Sequence, residues 1–349
     1  EDLFLELNGR LAAIRRADRS FALVNGSTCG ILAGVKLAVP SGGKLLISRF
    51  SHKSLYSASE ICGARLNYLV PSFITGTEIP GRITPESVEA ALERNPDTSL
   101  VAITSPTYEG VISDVESIAR VSHNYGIPLM VDAAHGAHLG FGGFSKCASE
   151  LGADIVVESL HKTLPSPTQT AVLHINGSLV NAEAAQRCVS IFQSSSPSYI
   201  LSAGIEACVS YMEENGEKEC RNWLKGVTDL RDELKKLRNF ELLDEPFLDP
   251  SKIVLLCDDG YEAMECFRRK SIEPEMAGND YVLMMTGLGD TEISLNHLLS
   301  AARETDAEIS RYGLKRGEKL CLPEAKTDIL SAVSSASEPV ELNMAEGRI

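Results

Sequence analysis

The apolar positions of this chain change period repeatedly, and the changes mark its elements. From Leu3 to Arg16 they fall at Leu3, Leu7, Leu11 and Ile14, spacings that put them on one face of a helix. FALVNGSTCG follows as a strand-like run broken at Asn25-Gly26, and ILAGVKLAV after it suits a buried helix. The alternation then repeats. KLLISRF, ARLNYLV, SLVAITSP, PLMVDAAHG and ADIVVESLHK read as strands, with helices predicted at SHKSLYSASEIC, TPESVEAALERNP and VESIARVSHNYG. Thr84 is placed to cap the second of these helices, with Pro85 at its first position, where a missing N–H does no harm.

Strands alternating with helices of about ten residues predict βαβ crossovers, hence an α/β fold whose mostly parallel sheet lies between helices. Such sheets bind ligands beyond the carboxyl ends of their strands. Polar residues gather at those ends here: Ser27, Thr28, His52, Thr107, Asp132, His135, Ser159 and Lys162. After Ala182 the character changes. The stretch SYMEENGEKECRNWLKGVTDLRDELKKLRN predicts a long charged helix bridging two domains. KIVLLC, YEAMECFRRK, YVLMMT and a helix from Thr291 then form a second pattern, an antiparallel sheet with two helices. The expected division is a large domain over 1–235, a smaller α/β domain over 236–312 and a poorly patterned tail over 313–349, with no internal repeat.

Composition narrows the function classes. With 44% hydrophobic and 23% charged residues, the 349-residue chain has the make-up of a soluble globular protein. A net charge of −15 and no Lys/Arg-rich stripe argue against a nucleic-acid surface. The acidic surface serves solubility and could also draw in a cationic substrate. Nine cysteines (Cys29, Cys62, Cys147, Cys188, Cys208, Cys220, Cys257, Cys266, Cys321) form no CxxC pair, and their odd number fits reduced thiols. No signal peptide and no membrane-length apolar run is present, so a cytoplasmic location away from membranes is expected. His135 and His138 have no partners at metal-ligand spacing, and no metal is expected. The chain opens at Glu1 inside a helical pattern and stops at EGRI; it reads as a segment of something longer.

Lysine is almost never fully buried unless it is paired or chemically employed, yet Lys162 closes the strand-like segment that opens with Ile155–Val157 and ends in a Ser, a His and this Lys. Asp132 follows another apolar run, PLMV. Alone, such an Asp is most simply a helix N-cap. Together the two suit pyridoxal phosphate: the lysine forms a Schiff base with its aldehyde, and the carboxylate keeps its ring nitrogen protonated as an electron sink. GSTCG offers hydroxyls and helix-start N–H groups for a phosphate, in itself a weak signal, and Ser159 could add a further hydroxyl. His52 is either a solvated loop histidine or an imidazole stacked on the cofactor. His161 either sets the turn or contacts phosphate, and His135 could border the cofactor. His123 and His174 read as structural.

VNGSTCG, SHKS, SPTYEG, VDAAHGAH and ESLHKTLPSPTQTA, in this order and spacing, resemble the bacterial ornithine/lysine/arginine decarboxylases, pyridoxal-phosphate enzymes of the aspartate-aminotransferase-like fold type I. The resemblance extends to Arg311 and more faintly beyond. It implies a seven-stranded sheet, Lys162 as the Schiff-base lysine and Asp132 as the partner of the pyridine nitrogen. By the same resemblance His52 stacks on the ring, Ala134 packs on its other face, and Ser27, Thr28, Ser159 and His161 hold or adjoin the phosphate. QSSSPSY looks like the segment that reaches a second subunit's phosphate, which makes Ser194, Ser195 and Ser196 candidates in trans. The family's sites lie at a dimer interface, so a homodimer or higher oligomer is implied, with CO2 leaving a basic amino acid to give a di- or polyamine. The family's N-terminal arm is absent, and the tail resembles only the opening of its C-terminal domain.

Two rival readings stay open on these residues: another enzyme of the same fold, or a truncated scaffold without activity. Asp and Lys also serve aminotransferases, aldolases and carbon–sulfur lyases of the same fold. An aminotransferase needs an arginine clamp, for which Arg49 and Arg82 are candidates; otherwise both are solvated loop residues. A truncated scaffold without activity would have no use for the Asp132–Lys162 pair. Glu109, or the acidic residues at Glu273 to Glu275, could receive a substrate's distal cation, but lysine, arginine and ornithine are not distinguished.

Overall fold

Each change of period in the first half of the chain becomes an element in the computed structural model, which describes residues 2–310, 313 and 326–345. Of the predicted tail 313–349, residues 314–325 (Cys321 among them) and 346–349 lie outside the described residues, as do 1, 311 and 312. The chain runs through α1 (Asp2–Arg15), β1 (Arg19–Leu23), α2 (Gly26–Ala38), β2 (Lys44–Ser48), α3 (Lys53–Cys62) and β3 (Arg65–Leu69). It continues through α4 (Pro85–Arg94), β4 (Thr98–Thr104), α5 (Val115–Asn124), β5 (Leu129–Asp132) and β6 (Ile155–Ser159). Thr84 caps α4 as expected, its hydroxyl accepting from Ser87 N–H.

Several features depart from the sequence pattern. The run ADIVVESLHK does not stay extended to Lys162. Its strand ends at Ser159, and His161 and Lys162 ride on a single helical turn, α6 (Leu160–Thr163), closed by Leu164 N–H donating to Leu160 C=O. Beyond the two prolines lies a strand the pattern did not predict, β7 (Ala171–Ile175), and after it the helix α7 (Ala182–Phe192), equally unpredicted. Five residues of β7 are fully enclosed, too short a run to show a period. The seven strands take the order β1-β7-β6-β5-β4-β2-β3. From β3 to β6 neighbours are parallel, while β7 is antiparallel to both β6 and β1. The short β6–β7 connection allows this, since antiparallel neighbours need no crossover helix. Helices cover both faces, which is why β5, β6 and β7 are buried at every position.

The long helix α8 (Tyr199–Leu234) has 36 residues, a length of about 54 Å. It starts well before Ser210, the first residue of the predicted charged run. Gly204 makes that start possible, because a Cβ there would come within 2.5 Å of Pro167 in the β6–β7 connection. Beyond it come β8 (Glu241–Leu242), β9 (Lys252–Leu256), α9 (Gly260–Arg269), β10 (Met276–Ala277), β11 (Tyr281–Met285) and α10 (Glu292–Glu308). These strands form an antiparallel sheet in the order β10-β11-β9-β8. One apolar core joins the two sheets through α8, with Leu7, Leu11, Met212, Trp223, Ile253, Leu255 and Phe267 all buried in it. At the seam the loop after β4 pairs with the loop before β9: Asp249 N–H donates to Gly110 C=O at 2.8 Å, and Val111 bridges Leu248. No helix among the described residues is long and apolar enough to cross a membrane, and the eight described cysteines are free and buried.

Helix α1 is pinned by charge as well as by leucines. Arg15, 5% exposed, pairs with Glu158 of β6 and donates to Leu139 C=O at 2.7 Å. Glu158 also faces His174 Nε2 at 3.3 Å, whose Nδ1 meets Ser20 Oγ at 2.7 Å. Burial alone would push the Glu158 carboxyl up, but Arg15 and His174 outweigh it and hold it below the ordinary value. A depressed folded pKa gives stability that is present above the unfolded value of about 4.3 and is lost as pH falls through the folded one. Urea unfolding of Glu158→Gln should therefore show about 2 kcal/mol less stability at pH 7, and a shallower acid loss than the parent chain.

Candidate functional site

The carboxyl ends of the parallel strands open into a cavity of about 620 Å³. Ser27, His52, Asp132, Ala134, His135 and Lys162 line it, so residues spread over much of the large sheet meet on one wall. Asp132 is the last residue of β5 and only 2% exposed. Its Oδ1 accepts from Ala134 N–H at 3.2 Å. Burial pushes its carboxyl up, against the opposing pull of that N–H, Lys162 and His52. Lys162 is half-buried on α6, and burial lowers its amine although Asp132 and Glu275 oppose the shift. Its Nζ lies 3.0 Å from Nε2 of His135. Thus a carboxyl and an amine, each shifted toward its neutral form by burial, face one space.

His52 is the N-cap of α3, its Nδ1 accepting from Ser54 N–H at 3.3 Å. Ser27 lies in the first turn of α2, whose N-cap Asn25 makes no side-chain capping bond. Gly26 N–H donates to Gln169 C=O at 2.9 Å, and no side chain caps the N–H groups that follow it, which leaves a helix start of the kind that can receive an anion. The remaining candidates stand off the wall. Thr28 is exposed and outside the cavity lining. Ser159 is fully buried behind the wall, its hydroxyl without a hydrogen-bond partner. His161 turns its Nδ1 to Thr170 C=O at 2.9 Å. Ser194 accepts from Asn25 Nδ2 at 3.2 Å beside the start of α2, and Ser195 and Ser196 are exposed.

Of the two arginines, Arg49 lines the cavity, donating to Tyr56 Oη at 2.9 Å and lying 5.5 Å over the Tyr68 ring. Arg82 lies outside it, over Phe247. Glu109 is on the wall, accepting from Thr107 Oγ1 at 3.1 Å and Tyr281 Oη at 3.3 Å. Glu275 accepts from Tyr108 Oη, and Tyr108 also lines the cavity. Glu273 is spent on a surface pair with Arg268. Two groups escaped the sequence reading. Tyr108 sets its ring edgewise to His135, 4.9 Å between centroids. Lys252, the first residue of β9, is 1% exposed and reaches His135 from the opposite side. Its one sequence signal was a lysine abutting an apolar run, which ordinarily marks the solvent edge of a strand. No group of metal-binding side chains occurs among the described residues.

Comparison with known proteins identifies the family and the fold. The family described as Orn/Lys/Arg decarboxylase, major domain, matches residues 6–268. A Bacillus subtilis (strain 168) protein, YaaO, is 35% identical over 280 residues, covering 77% of this chain and 58% of its own length. An arginine decarboxylase of Bacillus cereus is 31% identical over 356 residues, 97% of this chain and 77% of the relative. In fold, the lysine decarboxylase LdcF of Francisella novicida superposes with a TM-score of 0.78 at 21% identity, over 87% of this chain and 50% of that one. The chain thus spans between half and about three quarters of the length of these relatives. With the match over 6–268 and the relatives' agreement, the chain belongs to the Orn/Lys/Arg decarboxylase family.

Proposed function

We propose that the chain removes CO2 from a basic amino acid (lysine, arginine or ornithine) with the aid of pyridoxal phosphate, giving the corresponding di- or polyamine. The observation that carries this reading is the convergence of the Lys162 amine and the buried Asp132 carboxyl on one cavity wall. The residues present fit the cofactor. An uncapped helix start with Ser27 suits its phosphate, Asp132 its ring nitrogen, and Lys162 its aldehyde. When bound, pyridoxal phosphate supplies that aldehyde and a ring that draws electrons from the carbon losing its carboxylate.

The chain's own residues do the rest. Lys162 would hold the cofactor through its amine and would yield that position to a substrate amine. Asp132, enclosed and unable to turn to water, stabilises a proton on the ring nitrogen as charge develops. His52 and Ala134 on the cavity wall would contact the ring, Ser27 would hold the phosphate, and Thr28, Ser159 and His161, which stand off the wall, would support that end from outside the lining. His135 borders the ring beside Lys162. His52 or Lys162 returns a proton to the substrate carbon. Glu109 and Glu275 give the cavity an acidic margin suited to a distal ammonium or guanidinium. In a homodimer, Ser194 to Ser196 would serve the partner's phosphate, although within one chain Ser194 lies beside the start of α2, where Ser27 stands.

One observation favours a second reading: Arg49 is on the wall and could clamp an α-carboxylate, as an aminotransferase requires. The deciding experiment incubates the chain with pyridoxal phosphate and each of the three amino acids, following CO2 and keto acid together. CO2 with the matching amine supports decarboxylation. Keto acid without CO2 replaces it with amino transfer, and bound cofactor with neither product overturns both.

A further inference from the structure

The proposed reaction leaves Lys252 without a task. It is 1% exposed, and its Nζ lies 3.0 Å from Nδ1 of His135. Nζ of Lys162 lies 3.0 Å from Nε2 of the same ring. One imidazole therefore joins two amines in the interior. The position is built for the lysine: Gly110 has φ +96°, and a Cβ there would meet Cγ of Lys252 at 2.7 Å, so the stem is seated against backbone.

A proton count restricts what these groups can be. A neutral imidazole has one N–H and one acceptor nitrogen, whereas an ammonium has only donors. Two ammonium groups would need two acceptors on one ring, which it lacks. An imidazolium would need two neutral amines. The charged arrangement that satisfies both contacts with a neutral ring has one ammonium and one neutral amine. It exists in two forms. In one, Lys162 donates to Nε2 while Nδ1–H donates to Lys252; in the other, Lys252 donates to Nδ1 while Nε2–H donates to Lys162. Passing a proton from Lys162 to Nε2, as the Nδ1 proton passes to Lys252, converts the first into the second with charge conserved.

We propose that Lys252 is a positioning residue that acts through His135 as a proton store for Lys162, so that the two amines share one positive charge. This rests on the reading of Lys162 as the amine that meets the cofactor. Its consequence is a Lys162 that spends part of its time as a neutral nucleophile near neutral pH.

The surroundings stabilise the charge at either end. Asp132, at the end of β5, and Glu275, before β10, act on Lys162. Asp249, before β9, and Glu109, after β4, act with Glu275 on Lys252. His52, His138 and both lysines face His135. Burial, the largest influence on each member, opposes every extra charge. It brings Lys252 down to about 8 and lowers Lys162 and His135 as well.

The test is trace acetylation with acetic anhydride across pH on the chain free of pyridoxal phosphate, with label on Lys162 read by peptide mass spectrometry. Wild type should begin to label well below the ordinary lysine pKa of about 10.4 and rise in two steps, as coupled groups do. Lys252→Met keeps the stem volume but cannot take a proton; its Lys162 should label in one step, displaced upward by at least about one unit, or tenfold less label near pH 7. Lys252→Arg keeps a fixed charge but cannot take up the shared proton, so its Lys162 should keep a low midpoint and label in a single step; two-step labelling in it would overturn the proton store. A wild-type Lys162 that titrates at the ordinary value, or that stays unlabelled, overturns the proposal, as does an unmoved midpoint in Lys252→Met. A packing role would reduce folding without moving the midpoint. Nitrogen NMR of wild-type His135 needs no variant: a ring still neutral at pH 5 is expected, and one that becomes imidazolium near its ordinary value of about 6.5 overturns the idea. If pyridoxal phosphate binds through Lys162 while the midpoint stays unmoved, the function stands and only this inference falls.

Discussion

Lys162→Ala should lower CO2 release from the preferred amino acid by roughly 10^4-fold or more, because the amine that holds and releases the cofactor is gone. The loss should appear in kcat, while substrate binding to the acidic cavity changes little. Visible absorption checks the cause. The parent chain with pyridoxal phosphate should show the band of a covalently held cofactor, and borohydride should fix it to the chain; the variant should show neither. Folding is not at risk, since Lys162 is half-buried on a one-turn helix and its Nζ has its close contact with His135. A variant that keeps the band would move the Schiff base elsewhere. The proposed function would then lose its central residue, although the fold and family would stand.

Asp132→Asn should give the second largest loss, on the order of 10^3-fold in kcat, by removing the charge that stabilises a protonated ring nitrogen. The same change should stabilise the cofactor-free chain. Burial raises the Asp132 carboxyl above its ordinary value, with Ala134 N–H, Lys162 and His52 only partly opposing. A carboxyl raised in the folded state is a liability at neutral pH, where the unfolded chain carries the charge more easily, and the liability shrinks as pH falls toward the folded pKa. Asparagine has the same shape and no charge to bury. Thermal unfolding without cofactor at pH 7 should thus rise by about 2 °C or more in Asp132→Asn. Added pyridoxal phosphate should raise the midpoint of the parent chain more than that of the variant. Equal responses would mean that the carboxylate does not meet the ring.

The cavity positions of Asp132 and Lys162 were legible in the sequence because both follow strand-like apolar runs, where an α/β sheet places its chemistry, although Lys162 sits on α6 rather than on the strand. The parallel strands from β2 to β6 were legible for a related reason: continuous apolar runs separated by helices admit few other arrangements. Lys252 was not. It abuts the run Ile253–Leu256 directly, and only the three-dimensional meeting with His135 distinguishes it from a strand's solvent edge. The strand β7 was hidden because LPSPTQTAVLH reads as a turn, and its pairing is fixed by neighbours distant in sequence. The stop of β6 at Ser159 depends likewise on Thr170 accepting from Leu160 N–H, a bond without a local signature. Ser194 beside Asn25 is a contact between segments 169 residues apart. The number of strands came from the family resemblance rather than from periodicity.

The seam between the loop after β4 and the loop before β9 bears on how the protein is made. Lys252 and His135 are 117 positions apart, and Asp249 bonds back to Gly110 across a longer interval. Loops of that length close late, since their entropy is spent before their contacts repay it. Synthesis proceeds from the N-terminal end. A ribosome therefore delivers Asp132 and Lys162 together in the first sheet while the strand carrying Lys252 is still untranslated. A half-made chain can present the two groups proposed to meet the cofactor, but the buried amine behind His135 arrives only with the second sheet, so the last segments to fold complete the surroundings of the first.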